Sequence, residues 1–149
     1  MTSMPAADRL GSYLKRAEQA LMATKTAALK PAGLTVPQYS ALLNLAEHPG
    51  ISAAALARLV GVTPPTMNTV LTNLQDRGLV ERTPHEWHKN ILETRLTEAG
   101  RALTEAADVR AIAVERTLAQ RFTDEELAAL TAMLVRAAEA LDEIRADLV

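Results

Sequence analysis

Residues 52–82 read SAAALARLVGVTPPTMNTVLTNLQDRGLVER, and this stretch decides the fold. Ser52 is a good N-cap for a short helix through Leu56, Leu59 and Val60, because its hydroxyl can satisfy a free backbone N–H. Gly61-Val62 makes a turn. Thr63 then caps a second helix, with Pro64 at the first helical position, where a missing N–H costs nothing. That helix runs to Arg77 and stops at Gly78. Two helices joined by a tight glycine-containing turn form a helix-turn-helix, whose second helix is dimensioned to enter the major groove of B-DNA.

Two short runs rich in apolar and β-branched residues follow, Leu79–Thr83 and Ile91–Leu96, and read as strands. The stretch PHEWHKN, Pro84–Asn90, lies between them as a hairpin tip, which makes the helix-turn-helix a winged one. Upstream, apolar positions at helical spacing predict a long helix from about Ala6 to Leu29, closed by Lys30-Pro31-Ala32-Gly33. A second helix starts at Thr35-Val36-Pro37 and closes at His48-Pro49-Gly50, with His48 as a helix-end residue. Downstream, Thr97 caps a long helix to about Arg121. Thr123-Asp124-Glu125-Glu126 is a capping-box signature for a last helix, with Leu127, Leu130, Leu134, Ala137, Ala138, Leu141 and Ile144 on one side. The expected fold is mainly α with a small β-hairpin wing: a winged helix-turn-helix lobe at 35–97, and a helical dimerisation region at 1–34 and 98–149. Two long apolar-striped helical segments at opposite ends of the chain are best buried against a partner copy.

The 149 residues suffice for one domain or two small lobes. Hydrophobic residues at 48% and charged ones at 23% fit an ordered chain, but aromatics are only 3%, so Leu, Ala, Val and Met must build the core. No apolar run approaches a membrane span, and the N-terminus has no signal-peptide apolar region, so a cytoplasmic protein without membrane association is expected. Cysteine is absent, which excludes disulfides and thiol chemistry. The net charge of −2 hides an asymmetry: 1–47 carry +2, 48–96 carry +1, and 97–149 carry −5. The acid therefore lies outside the lobe that would meet phosphates.

The faces of the second helix can be sorted at about 100° per residue. Met67, Val70, Leu71 and Leu74 share the core side. Pro65, Asn68, Thr69, Thr72 and Asn73 point away or flank that outer side. Asn and Thr are mediocre helix formers, and a merely solvated face would more often use Glu, Lys or Gln. Hydrogen-bonding side chains suit base edges, and Asn suits adenine.

The order and spacing of several short pieces resemble the MarR family of bacterial transcriptional regulators: Leu34-Thr35, Leu56-Ala57, Arg77–Arg82 (RGLVER) and Leu96–Gly100 (LTEAG). The resemblance covers most of the chain. It implies a triangular homodimer in which the terminal helices interlock and two lobes read a pseudo-palindromic site in double-stranded DNA. It also implies a repressor released by a small aromatic or phenolic acid. Such an effector would bind where the first, second and fifth helices meet the lobe, with Tyr13, Arg16, Met22 and Tyr39 as candidates. The competing reading is that these are ordinary core and surface residues. The DNA-binding candidates are Arg58, Thr63, Pro65, Thr66, Asn68, Thr69, Thr72, Asn73, His88, Lys89 and Asn90.

Two departures from the family pattern stand out. The family's wing carries an Asp-x-Arg pair whose Arg reaches the minor groove. Here His88 and Asn90 hold those positions, with Lys89 between them. The family's recognition helix often has basic residues where Thr69 and Asn73 stand, and Gly61–Asp76 contains no Lys or Arg. The alternative function is therefore a winged-helix protein-interaction module with lost or weak DNA binding.

His85, Glu86 and His88 also raise a metal-site reading. A hairpin tip does not present two rings at fixed helical spacing, so no metal is assigned. Trp87 is expected to fold back onto the lobe or to pack against a neighbouring helix rather than to touch DNA. No nucleophile–base pairing, phosphate-binding glycine loop or carboxylate dyad is legible, so neither an enzyme nor a cofactor is expected.

Overall fold

The computed structural model describes residues 4–149. Residues 1–3 of the expected dimerisation segment and N-terminus lie outside that range. Six α-helices and one two-stranded antiparallel sheet follow in chain order among the described residues: α1 Leu10–Leu29, α2 Val36–Glu47, α3 Ala53–Val60, α4 Pro64–Asp76, β1 Val80–Pro84, β2 Leu92–Leu96, α5 Glu98–Ala119 and α6 Asp124–Leu148. The chain divides into two compact units, one ending at Ile112 and the other spanning Ala113–Val149.

Local chemistry sets most boundaries. Thr35 caps α2 in a full capping box: its hydroxyl accepts from the Gln38 amide at 3.3 Å, and Gln38 Oε1 accepts from the Thr35 amide at 3.0 Å. Ser52 and Thr63 cap α3 and α4 through the Ala55 and Thr66 amides. His48 is the C-cap of α2. At the end of α4, Gly78 sits at φ 72°, and the Leu79 amide donates to the Leu74 carbonyl at 2.9 Å. This left-handed glycine closes the helix and turns the chain into the wing.

Three expected boundaries shift. The first helix starts at Leu10, not Ala6: Ala6–Asp8 form a separate 3-10 turn and Arg9 is extended. Side chains hold that turn off the helix axis, with Ser12 Oγ donating to Ala6 O and Tyr13 Oη to Ala7 O, both at 2.9 Å. The first strand runs Val80–Pro84 rather than Leu79–Thr83, because the Leu79 amide is spent on capping α4 and Pro84, expected in the tip, pairs with Leu92. The second begins at Leu92, because the Ile91 amide donates to His88 O at 2.8 Å within the tip.

The first unit is organised around one apolar cluster. Leu29 of α1, Leu42 and Leu45 of α2, Leu56 of α3, and Met67, Leu71 and Leu74 of α4 are all fully or nearly fully buried. Each such side chain contributes roughly 1.5–3 kcal/mol through burial. Ala107 and Ala111 of α5 belong to the same cluster, so the lobe's core runs past residues 35–97. The sheet pairs Val80 with Leu96 and Pro84 with Leu92. On its other side, β2 is bonded through Thr94 to Gly50 (2.9 Å) and Ile51 (3.3 Å), which fixes the hairpin base against the start of α3. Thr97 ties the start of α5 to the same place: its amide donates to Leu79 O at 3.1 Å and its hydroxyl to Gly78 O at 2.7 Å.

The second unit holds the end of α5 and all of α6. Thr123 and Glu126 form the expected capping box at its turn. No residue of α6 is buried, and Leu134, Leu141 and Ile144 of the expected apolar stripe are each about half exposed. Among the described residues, no helix is long and apolar enough to cross a membrane.

Candidate nucleic-acid interface

Helix α4 presents the two faces expected of it. Met67, Leu71 and Leu74 are buried and Val70 is half-buried, while Pro65, Asn68, Thr69, Thr72 and Asn73 are exposed. The hydrogen bonds decide what that outer face can offer. Asn68 Nδ2 donates to Pro64 O at 3.1 Å, and its Oδ1 accepts from Arg82 Nη2 at 3.2 Å. One N–H of Asn68 remains available. Asn73 Oδ1 accepts from Gln38 Nε2 at 2.8 Å, which turns both N–H groups of Asn73 outward. Thr69 spends its proton on Pro65 O at 3.2 Å and keeps its acceptor lone pairs. Among the described residues Thr72 makes no side-chain hydrogen bond, so its hydroxyl is free in both senses. Thr63 and Thr66 are tied to each other, with the Thr63 hydroxyl donating to Thr66 Oγ1 at 2.9 Å, and act in the cap. The face is therefore rich in donors and uncharged. It is suited to the acceptors of base edges, such as guanine O6 and N7 or thymine O4.

The cations of the lobe are unequally free. Arg77 Nη1 donates to Gly33 O at 3.1 Å and holds the loop before α2. Arg95 pairs with Glu93 at 2.8 Å. Arg82 is half-buried on Asn68, and its Nε is buried without a partner. Arg58 and Lys89 are exposed and carry no partner among the described residues. A cleft of about 400 Å³ separates the wing from the helices. It is lined by Ser52–Ala54 of α3's start, by Pro64 and Asn68 of α4, and by Arg82, Asn90, Ile91 and Leu92 of the wing. The returning arm of the hairpin thus runs beside the N-terminal half of α4.

The wing tip is built around His85. Its Nδ1 accepts from the Trp87 and His88 amides at 3.1 and 3.2 Å, and its own amide donates to Ile91 O at 2.7 Å. Its ring stacks on His88 with centroids 5.4 Å apart, and its Nε2 lies 3.6 Å from Glu93 Oε1. His85 is thus a turn-forming residue. Trp87 does not fold back: it is 79% exposed, against expectation. The tip closes through backbone and imidazole alone, which leaves the indole outside. His88, Lys89 and Asn90 are exposed beside it.

The effector candidates divide between core and surface. Tyr39 is buried and its hydroxyl donates to Asp108 Oδ1 at 2.6 Å. Tyr13 is 60% exposed on α1, with its hydroxyl on Ala7 O, and Arg16 and Met22 are exposed on the same helix. The Tyr39–Asp108 bond joins residues far apart in sequence, and nothing in either local pattern announces it. Gln38 is similar. Its capping role follows from the Thr35-x-x-Gln38 spacing, but its bond to Asn73 depends on how α2 crosses α4.

Comparison with known proteins places this geometry. The model of the MarR family matches residues 32–89. The HTH-type transcriptional repressor Rv2887 of Mycobacterium tuberculosis is 40% identical over 114 residues, which span 76% of this chain and 82% of that one. The crystal structure of Rv2887 in complex with salicylic acid superposes with a TM-score of 0.68 at 37% identity, covering 87% of this chain and 96% of that one. A transcriptional repressor named CouR, bound to a 23-mer DNA duplex, superposes with a TM-score of 0.81 at 28% identity, covering 92% of this chain and 99% of that one.

Proposed function

Because the chain belongs to the MarR family, we propose that it is a DNA-binding transcriptional repressor that acts as a homodimer on a pseudo-palindromic site and is released by a small aromatic acid. The observation that carries the reading is the outer face of α4, exposed and uncharged, with hydrogen-bonding groups held toward solvent by Pro64, Pro65 and Gln38. Asn68, Thr69, Thr72 and Asn73 read base edges, Pro65 packs on the groove wall, and Arg58 and Lys89 meet phosphates. CouR bound to a duplex and Rv2887 bound to salicylic acid support DNA and an aromatic acid as the two partners.

Residues 1–34 and 98–149 supply the dimerisation region and residues 35–97 the reading lobe. The apolar side chains left exposed on α1, α5 and α6, among them Leu10, Val109, Leu134, Leu141 and Ile144, are what a second copy would cover. The protein works in the cytoplasm and carries no catalytic role. Arg16 supplies the cation for the carboxylate of the effector, with Tyr13, Met22 and Tyr39 as the further candidate contacts.

One experiment tests the reading. Duplexes are selected in vitro by the wild-type protein from a library with a random core, and binding is followed by gel shift. Asn68→Ala with Thr69→Ala should weaken binding by at least tenfold, since each base contact is worth about 1–3 kcal/mol. Added salicylate should release the wild-type complex, and Arg16→Ala should blunt that release. Undiminished binding by the double variant would sink the assignment of α4, and a complex indifferent to aromatic acids would sink the effector.

A further inference from the structure

The wing's most exposed large side chain sits on a hydrogen-bonded turn. Trp87 is the chain's only tryptophan, and it stands 79% exposed at the hairpin tip. An indole left in water forgoes burial of an area of order 150–250 Å², and here it stands on the same hairpin as the exposed Ile91 and Leu92 rather than alone. The backbone that carries it is ordered by the turn's own bonds. The Trp87 and His88 amides both donate to His85 Nδ1, the His85 ring stacks on His88, and the His85 and Ile91 amides close the tip. A backbone already held in its turn removes part of the ordering cost of binding.

Placement and charge name the partner. Asn90, Ile91 and Leu92 of the returning arm share a cleft with Pro64 and Asn68 at the start of α4. With α4 in a major groove, the hairpin beside it lies toward the phosphate backbone, and the family resemblance puts its tip over the adjacent minor groove, roughly 6 Å wide. A cation would be the ordinary means of gripping that groove, but the tip has little to spend. Glu86 offsets Lys89, Arg95 is tied to Glu93, and Arg82 is tied to Asn68. Ile91 and Leu92, 44% and 38% exposed, add apolar surface to the same arm. A flat apolar ring can instead enter edge-on, pack against deoxyribose and donate its indole N–H to adenine N3 or thymine O2. Apolar side chains are used in this way by many minor-groove proteins.

We propose that Trp87 is the DNA-gripping residue of this wing, entering the minor groove as an apolar, salt-insensitive contact in place of a cation. The inference rests on the DNA-binding reading above. Its test uses the full-length protein and a fluorescently labelled duplex selected by the wild type from the random-core library. Trp87 is the only indole, so intrinsic emission reports on this side chain alone. Adding the duplex should quench or shift that emission. By labelled-duplex anisotropy, Trp87→Ala should weaken binding about tenfold or more. It should leave the slope of log K against log salt unchanged, and Trp87→Phe should restore most of the affinity. Lys89→Ala should instead lower the slope by roughly 2, since it removes one contact from each protomer of the dimer. The thermal midpoint of Trp87→Ala should match the wild type, since the indole touches little of the lobe.

A Trp87→Ala protein that binds within twofold of wild type overturns the proposal while leaving the DNA-binding reading intact. So does an indole emission that shifts with protein concentration in the absence of DNA, which would assign the ring to a second copy. If the library yields no bound duplex, the DNA-binding reading and this inference fall together.

Discussion

Of the chain's six glycines, Gly100 has the least room for a side chain. A Cβ built there would overlap the Leu79 carbonyl oxygen, and the same oxygen accepts the Thr97 amide. The obstacle is backbone, so no rotamer change relieves it. Gly100→Ala should gain about 1 kcal/mol of helix propensity and lose more than that to overpacking, for which about 1–3 kcal/mol is usual. The strain falls on the joint that connects α4, the wing and α5. Thermal unfolding at a fixed protein concentration should therefore show a midpoint lowered by several degrees. A midpoint at or above that of the wild type would refute the close contact. Glycine in LTEAG is visible in the sequence, but its reason is not, because the atom that excludes a methyl group comes from Leu79, across the whole wing.

The elements themselves were largely legible, and their tertiary uses were not. Thr35, Ser52, Thr63, Thr97 and Thr123 all hold helix starts as their side-chain chemistry dictates, and Met67, Leu71 and Leu74 fall on the buried face that helical periodicity assigns. Periodicity could not show that Asn68 is engaged by Arg82 or Asn73 by Gln38, since those bonds depend on how β1 and α2 lie across α4. It misjudged Trp87 for a related reason: hydrophobicity argues for burial, but the tip offers the ring no surface. The wing depends instead on His85 as an acceptor. His85→Asn keeps an oxygen near the Trp87 and His88 amides, whereas His85→Ala removes the acceptor and leaves both amides unpaired. Hydrogen exchange at those two amides should accelerate markedly in His85→Ala and much less in His85→Asn, with the α4 amides unchanged in both. Equal protection in all three proteins would mean that the imidazole does not organise the tip.

At the scale of the whole molecule, the charge distribution sets how the protein answers to salt. The C-terminal third carries net −5, while the lobe carries only a small positive excess, much of it already paired. Arg58 and Lys89 are the lobe cations without partners among the described residues. Pro64 and Pro65 also remove two N–H groups from the start of α4, where phosphate would otherwise find donors. Two free cations per protomer allow a dimer about four phosphate contacts, hence a slope of log K against log salt near −4, at about 0.9 per contact. Specificity must then come from neutral groups: the Asn and Thr side chains of α4 and the indole of the wing. Measured between roughly 50 and 200 mM salt, binding to the selected duplex should weaken only modestly compared with an arginine-winged relative. Arg58→Ala with Lys89→Ala should flatten the dependence almost completely. A slope near −4 that survived both changes would mean that Arg82 and Arg95 leave Asn68 and Glu93 on binding, and that the wing rearranges on DNA rather than docking as it stands.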